Sequence, residues 1–249
     1  SVTDTTAPRP QLLILNFKQA NDVRIGNRAP VMVPSFDASR ISPQFAGQDE
    51  IIIQGITENV RNDYAGLNVQ IYRSDDPDIP AGDRTIVHFG TYNPDLLGLA
   101  DSVDPYNAEA EQEAIVFTDT FSLFNPLLPS TAEITQAIAN VASHEAGHLL
   151  GLRHTADPLD LMDITATALQ MIEDQSFRKA ALHPTILPVG FQDAPDLLAW
   201  AVGGTLLSPS PAAHPKPVRE RMINPSNRVD FQIPHGLLGT CVSEVAIGQ

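Results

Sequence analysis

Three histidines, one glutamate and one glycine fall at fixed spacing in the stretch His144-Glu145-Ala146-Gly147-His148-Leu149-Leu150-Gly151-Leu152-Arg153-His154. Residues four apart share one face of an α-helix, so His144 and His148 can aim their imidazoles at a common point. Glu145 lies about 100° further round and reaches an atom held at that point without joining the ligands. A third ligand must come from off the helix. Gly151 permits this, because a glycine at a helix C-terminus can adopt the left-handed conformation that turns the chain sharply. His154 can then return to the same point. Three neutral nitrogens with a free fourth position describe a catalytic zinc site rather than a closed structural one. A lone His-x-x-x-His is common, but chance would assemble all five positions at on the order of 10⁻⁵ per sequence of this length.

The stretch resembles the long zinc signature of the metzincin metallopeptidases, His-Glu-x-x-His-x-x-Gly-x-x-His, with every fixed position matched. That clan also places a methionine in a tight turn beneath the metal, and Leu161-Met162-Asp163 stands at the matching distance. The short gap from His154 to Met162 is similar to the matrixin branch. No tyrosine follows Tyr106, so the tyrosine ligand of serralysins and astacins is ruled out. Leu99-Ala100 is similar to the Leu-Ala pair of the matrixin edge strand, whose backbone pairs with substrate. An edge strand carries unpaired N–H and C=O groups that bind an extended peptide by strand addition.

The 249 residues suffice for one good-sized core. No apolar run approaches the ~18 residues of a membrane span. The net charge of −15 argues against nucleic acid and anionic membranes as partners. With the single cysteine Cys241, no disulfide forms within the chain. Ser1–Pro10 reads as a flexible leader, and residues 204–249, with Ser208-Pro-Ser-Pro and His214-Pro-Lys-Pro217, as a proline-rich extension. The catalytic domain is expected over 11–203. The resemblance to secreted peptidases implies export, and a monomer is expected.

Along the chain, Gln11–Phe17 reads as a buried strand, and Asn21–Arg40 as loop with some extended structure. Ser42-Pro43 reads as a helix start, followed by an apolar stripe of Ile52, Ile56 and Val60 and a stop at Gly66. Strands are expected at Asn68–Arg73, Arg84–Gly90 and Ala114–Thr118. His88 reads as a packed histidine. Asp75-Asp76-Pro77-Asp78 with Asp83, and the acidic run from Asp101 to Glu113, are oxygen-rich loops of the kind that hold calcium, with solvated turns as the commoner alternative. Ser130-Thr131-Ala132-Glu133 fits a capping box opening the zinc helix, whose apolar face includes Ile134, Ile138 and Val141. Leu169, Ile172 and Phe177 lie at helical spacing within Thr165–Ala181, and a last helix spans Asp193–Val202.

The resemblance implies an α+β fold: a twisted, mixed but mostly parallel five-stranded sheet, a long active-site helix, a methionine turn, and an antiparallel edge strand over the cleft. It also implies that residues 163–192 line the pocket beyond the scissile bond. The expected function is zinc-dependent endopeptidase action on a protein or peptide substrate, with His144, His148 and His154 on one Zn²⁺ and Glu145 as general base. Two alternatives stand beside it. One is a catalytically silent zinc-containing binding module. The other is a structural zinc site, which would need a fourth ligand from Asp157, Asp160 or Cys241.

Overall fold

The computed structural model describes residues 8–204; the first seven residues of the leader and, of the extension expected over 204–249, residues 205–249 lie outside the described residues. Strands β1 (Gln11–Asn16), β2 (Ala20–Val23) and β3 (Val31–Val33) come first, then helix α1 (Asp49–Asp63). Strands β4 (Val69–Arg73), β5 (Thr85–Phe89), β6 (Gly98–Ala100) and β7 (Glu113–Val116) precede the long helix α2 (Thr131–His148). A one-turn helix α3 (Ala168–Met171), strands β8 (Lys179–Ala181) and β9 (Phe191–Asp193), and helix α4 (Ala194–Val202) complete the order.

The main sheet has five strands in the order β4-β1-β5-β7-β6. Every neighbouring pair is parallel except β6 with β7, so the fold is α+β with an antiparallel strand at one edge. Parallel neighbours require long crossovers, and α1 supplies the one between β1 and β4. The inner strands are correspondingly apolar on both faces, as β1 and β5 show.

One face of the sheet carries the main core, where Leu13, Leu15 and Val87 meet Ile52, Ile56 and Val60 of α1 and Ile134, Ile138 and Val141 of α2. On the opposite face, the antiparallel β2–β3 hairpin covers a smaller cluster of Val23, Val33, Leu96, Leu99 and Ile115. Period-two alternation therefore divides β6: Leu99 packs in the smaller cluster and Ala100 in the main one.

Two sequence expectations need correction. The α-helix begins at Asp49, because Pro43–Phe45 forms only a 3₁₀ turn, with Ser42 at its N-cap making no side-chain cap bond. Of the helical stretch expected over Thr165–Ala181, only Ala168–Met171 is helical, capped by Thr167 and Gln170. Leu169 is exposed, while Phe177 packs edge-on against Tyr64 at the end of α1, with ring centroids 5.1 Å apart, and lies beside Gly147 of α2. A ten-residue 3₁₀ segment, Thr118–Leu127, joins β7 to α2 without a sequence expectation behind it. At the N-terminus, Arg9 of the leader donates its backbone N–H to Ala201 O at 2.8 Å and its guanidinium to Asp83.

Candidate metal centre

The capping box at the start of α2 is complete: Glu133 N–H donates to Ser130 Oγ, and Ser130 N–H to the Glu133 carboxylate. From there α2 runs through the core, buried from Ile134 onward. Next to the first ligand, Tyr64 Oη donates to Ser143 O at 2.9 Å and Ser143 Oγ to Asp63 at 2.5 Å, so the end of α1 grips the helix there.

The C-terminus of α2 closes in a Schellman motif. Leu152 N–H donates to Gly147 O and Gly151 N–H to His148 O, both at 2.9 Å. Gly151 has φ +96°, and a Cβ there would lie 2.9 Å from Asp104 O, so both the backbone and the neighbouring loop require glycine. The turn also orients a ligand, because His148 Nδ1 donates to Leu152 O at 2.8 Å.

Met162 is fully buried below the ligands. The preceding carbonyl, Leu161 O, accepts from His144 Nδ1 at 2.6 Å, and Met162 O accepts from Thr155 N–H, next to His154, at 2.9 Å. The turn at Met162 therefore holds the segments of His144 and His154 at once. Asp160 braces it: its carboxylate accepts from Thr155 Oγ1 at 2.7 Å and from Arg178 N–H at 3.1 Å. Behind His154, Gln192 makes a two-way clamp on the Arg153 backbone, accepting from Arg153 N–H and donating to Arg153 O. Composition and spacing gave no signal for Asp160 as a brace or for Gln192, since both act through a fold contact with backbone.

The three imidazoles converge. Nε2 of His148 lies 3.0 Å from Nε2 of His144 and 3.0 Å from Nε2 of His154. All three residues are buried, and among the described residues no carboxylate or thiol joins their group. Asp157 pairs with Arg178 instead, and Asp160 is committed as above; Cys241 lies outside the described residues. Burial pushes His144 down to about 3, helped by neighbouring His148, and pushes His148 down to about 4. Burial, with His148, His144 and His183 adding to it, lowers His154 strongly. All three rings are thus neutral at pH 7, the form that binds metal.

This donor set fits zinc. With Nδ1–H of His144 and His148 donated to carbonyls, their Nε2 lone pairs face each other at 3.0 Å, an arrangement that repels unless a cation sits between them. The spacing is close to the ~3.3 Å edge of a tetrahedron with metal–nitrogen bonds of about 2.0 Å. Glu145 is 1% exposed and lies against Gly98 of the edge strand: a Cβ at Gly98 would fall 2.7 Å from Glu145 Cγ and 2.8 Å from Cδ.

No family model matches the sequence, and no curated protein does. Solved structures similar to it include the following two. One is the crystal structure of an archaemetzincin (amzA) from Methanopyrus kandleri, at 18% identity and a TM-score of 0.37 over 71% of this chain and 92% of that one. The other is a zinc-dependent peptidase from Methanocorpusculum labreanum strain Z, at 15% identity and a TM-score of 0.36 over 67% of this chain and 95% of that one. At this level the likeness carries no weight for the chemistry, which rests on the site's own distances.

Other sequence candidates resolve as follows. Leu99 and Ala100 sit in the edge strand β6, both buried. His88 is packed in β5, with Nδ1 3.1 Å from Asn16 Nδ2. Asp75 and Asp76 pair with Arg73, Lys18 and Arg61. The Asp101 carboxylate accepts from Gly26 N–H, and that of Asp104 from Glu109 N–H. From the 163–192 segment, Leu182, Phe191 and Gln192 line a cleft of about 230 Å³ completed by Tyr106, Arg153 and Trp200. Among the described residues no helix is long and apolar enough to cross a membrane.

Proposed function

We propose that this chain is a metzincin-like zinc endopeptidase that hydrolyses peptide bonds in proteins, with His144, His148 and His154 holding the metal and Glu145 as general base. The observation that carries this reading is the convergence of three buried, neutral Nε2 atoms one residue from a carboxylate that belongs to no ligand set. Bound zinc would supply the Lewis acidity that polarises a carbonyl and lowers the pKa of water towards ~7. Glu145 takes the proton from the attacking water and delivers it to the departing amine. The β6 edge, with Leu99 and Ala100, offers backbone groups for an extended substrate. Calcium in the acidic loops stays an expectation from their oxygen-rich composition, and an extracellular address one from the resemblance. A matrixin-like branch has only the short gap to Met162 and the Leu99-Ala100 pair in its favour.

One observation favours a second reading, a silent zinc-binding module. Glu145 is 1% exposed and His154 7%, so little of either side chain faces the solvent from which a substrate carbonyl would approach. Metal analysis together with hydrolysis of a quenched peptide separates the two. The peptidase should bind one zinc and cleave; Glu145→Gln should keep the zinc and lose at least about 10³-fold in kcat. His144→Ala should lose the metal. Zinc-loaded protein that cuts neither casein nor peptide would leave the silent module.

A further inference from the structure

We infer that Gly98 is a positioning residue for Glu145: its missing side chain sets where the general base lies, so the edge strand and the base are fitted to each other at this one residue. The inference rests on the peptidase reading for its catalytic consequence, but its structural content stands apart from it.

Gly98 pairs with Val116 at the end of β6, and its φ lies outside the left-handed region, so the backbone there accepts any residue. The requirement for glycine is therefore steric. The ideal Cβ position lies 2.7 Å from Glu145 Cγ, 2.8 Å from Cδ, and closer still to Oε1. Real Cβ atoms do not approach other carbons at such distances, so a methyl group at 98 must move something. Glu145 is the neighbour on all three of the nearest atoms. Its own backbone cannot follow, because it lies in the fully buried last turns of α2 between the ligands His144 and His148. The strand is pinned as well: β6 is paired along β7, and Phe117 N–H donates to Leu97 O at 2.8 Å, directly before Gly98. The side chain of Glu145 is what gives, and rotation about its bonds swings the carboxyl out of its seat.

The same contact couples the base to substrate. Strand addition to β6 would lay a peptide along the strand whose first residue forms the floor for the Glu145 carboxyl. A base displaced by about 1 Å in such a site costs on the order of a hundredfold in rate.

The test is a double-mutant cycle on the full chain, pairing Gly98→Ala with Glu145→Ala, read by melting temperature and zinc content, with kcat and KM on a quenched peptide alongside. Gly98→Ala should lower the melting temperature by about 4 °C in the wild-type background. In the Glu145→Ala background, where the obstructing atoms are gone, it should lower it by less than about 1 °C. Each protein should hold one zinc. Gly98→Ala should reduce kcat about a hundredfold with KM within about twofold. An equal melting shift in both backgrounds overturns the inference, since the methyl would then be striking something else. So does Gly98→Ala with full kcat, or with zinc lost. Should Gly98→Ala alone fail to fold, folding of Gly98→Ala/Glu145→Ala supports the inference and failure of both overturns it. A wild-type chain without peptidase activity sinks the function proposed above while leaving the melting cycle readable.

Discussion

Asp160 shows how much of the three-histidine group's setting depends on residues outside that group. It is fully buried, and burial raises its pKa, while hydrogen bonds from Thr155, Met162 and Arg178 oppose that rise. A carboxylate so placed serves as a hub: it joins the residue after His154 to the turn that carries Met162 and to the start of the following strand. Asp160→Ala would strand these donors in the interior, and an unpaired buried donor costs about 1–3 kcal/mol. We expect a loss of about 3 kcal/mol in urea unfolding, accompanied by weaker zinc binding in a chelator competition. Unchanged zinc affinity would show that the methionine turn holds without it. At this scale the histidines and Glu145 were legible in the sequence, because helical geometry alone places i and i+4 together. The sequence offers Asp160 only as a rival ligand, since nothing in a one-dimensional spacing tells a carboxylate that binds metal from one that binds backbone.

At the scale of elements, the end of α2 is the decisive feature. The helix itself was legible from its capping box and apolar stripe, and Gly151 from its place in the motif. Its double demand was not: the left-handed φ is a local matter, while the approach of Asp104 O comes from a loop 47 positions away (151 − 104). Gly151→Ala should therefore cost more than the ~1–2 kcal/mol of a left-handed residue alone, on the order of 3 kcal/mol with the steric term. Because the Leu152 carbonyl orients His148, zinc affinity should fall with stability, and a Gly151→Ala protein of wild-type zinc affinity would contradict the geometry. The Thr165–Ala181 stretch departs from its helical spacing for a related reason. Its apolar residues do recur near helical spacing, but they do not share one buried face: Leu169 is exposed, and Phe177 is consumed by packing on Tyr64 and beside Gly147. Tertiary contact overrode local periodicity.

The whole molecule is coupled to pH through its buried imidazoles. In the metal-free protein, the folded-state pKa values of about 3 for His144 and about 4 for His148 lie below the ordinary 6.5. Between those values these two imidazoles bind more protons in the unfolded chain than in the folded one, so their contribution to stability rises with pH there. Metal-free protein should hold its full stability above pH ~6.5 and lose it as pH falls towards 4, at about 1.4 kcal/mol per pH unit for each imidazole engaged. Calorimetry of chelator-treated protein from pH 7.5 to 4.5 checks the sign. Added zinc should raise the melting temperature most near neutral pH, where protons do not compete for the nitrogens. A flat profile would mean that the rings are solvated rather than buried.

The sequence by itself determined which three imidazoles could meet, which carboxylate stands beside them, the turn that brings His154 back, and the succession of strand and helix that leads to them. These follow from local rules: helical period, capping chemistry and the conformational freedom of glycine act within a few residues. Only the tertiary structure decided what surrounds the centre. Gly98 beneath Glu145, Gln192 clamped on Arg153, and Asp160 joining two loops all bring together segments far apart in the chain. Whether one side chain meets another across such a distance depends on sheet register and packing depth, and neither is written in any single stretch of residues.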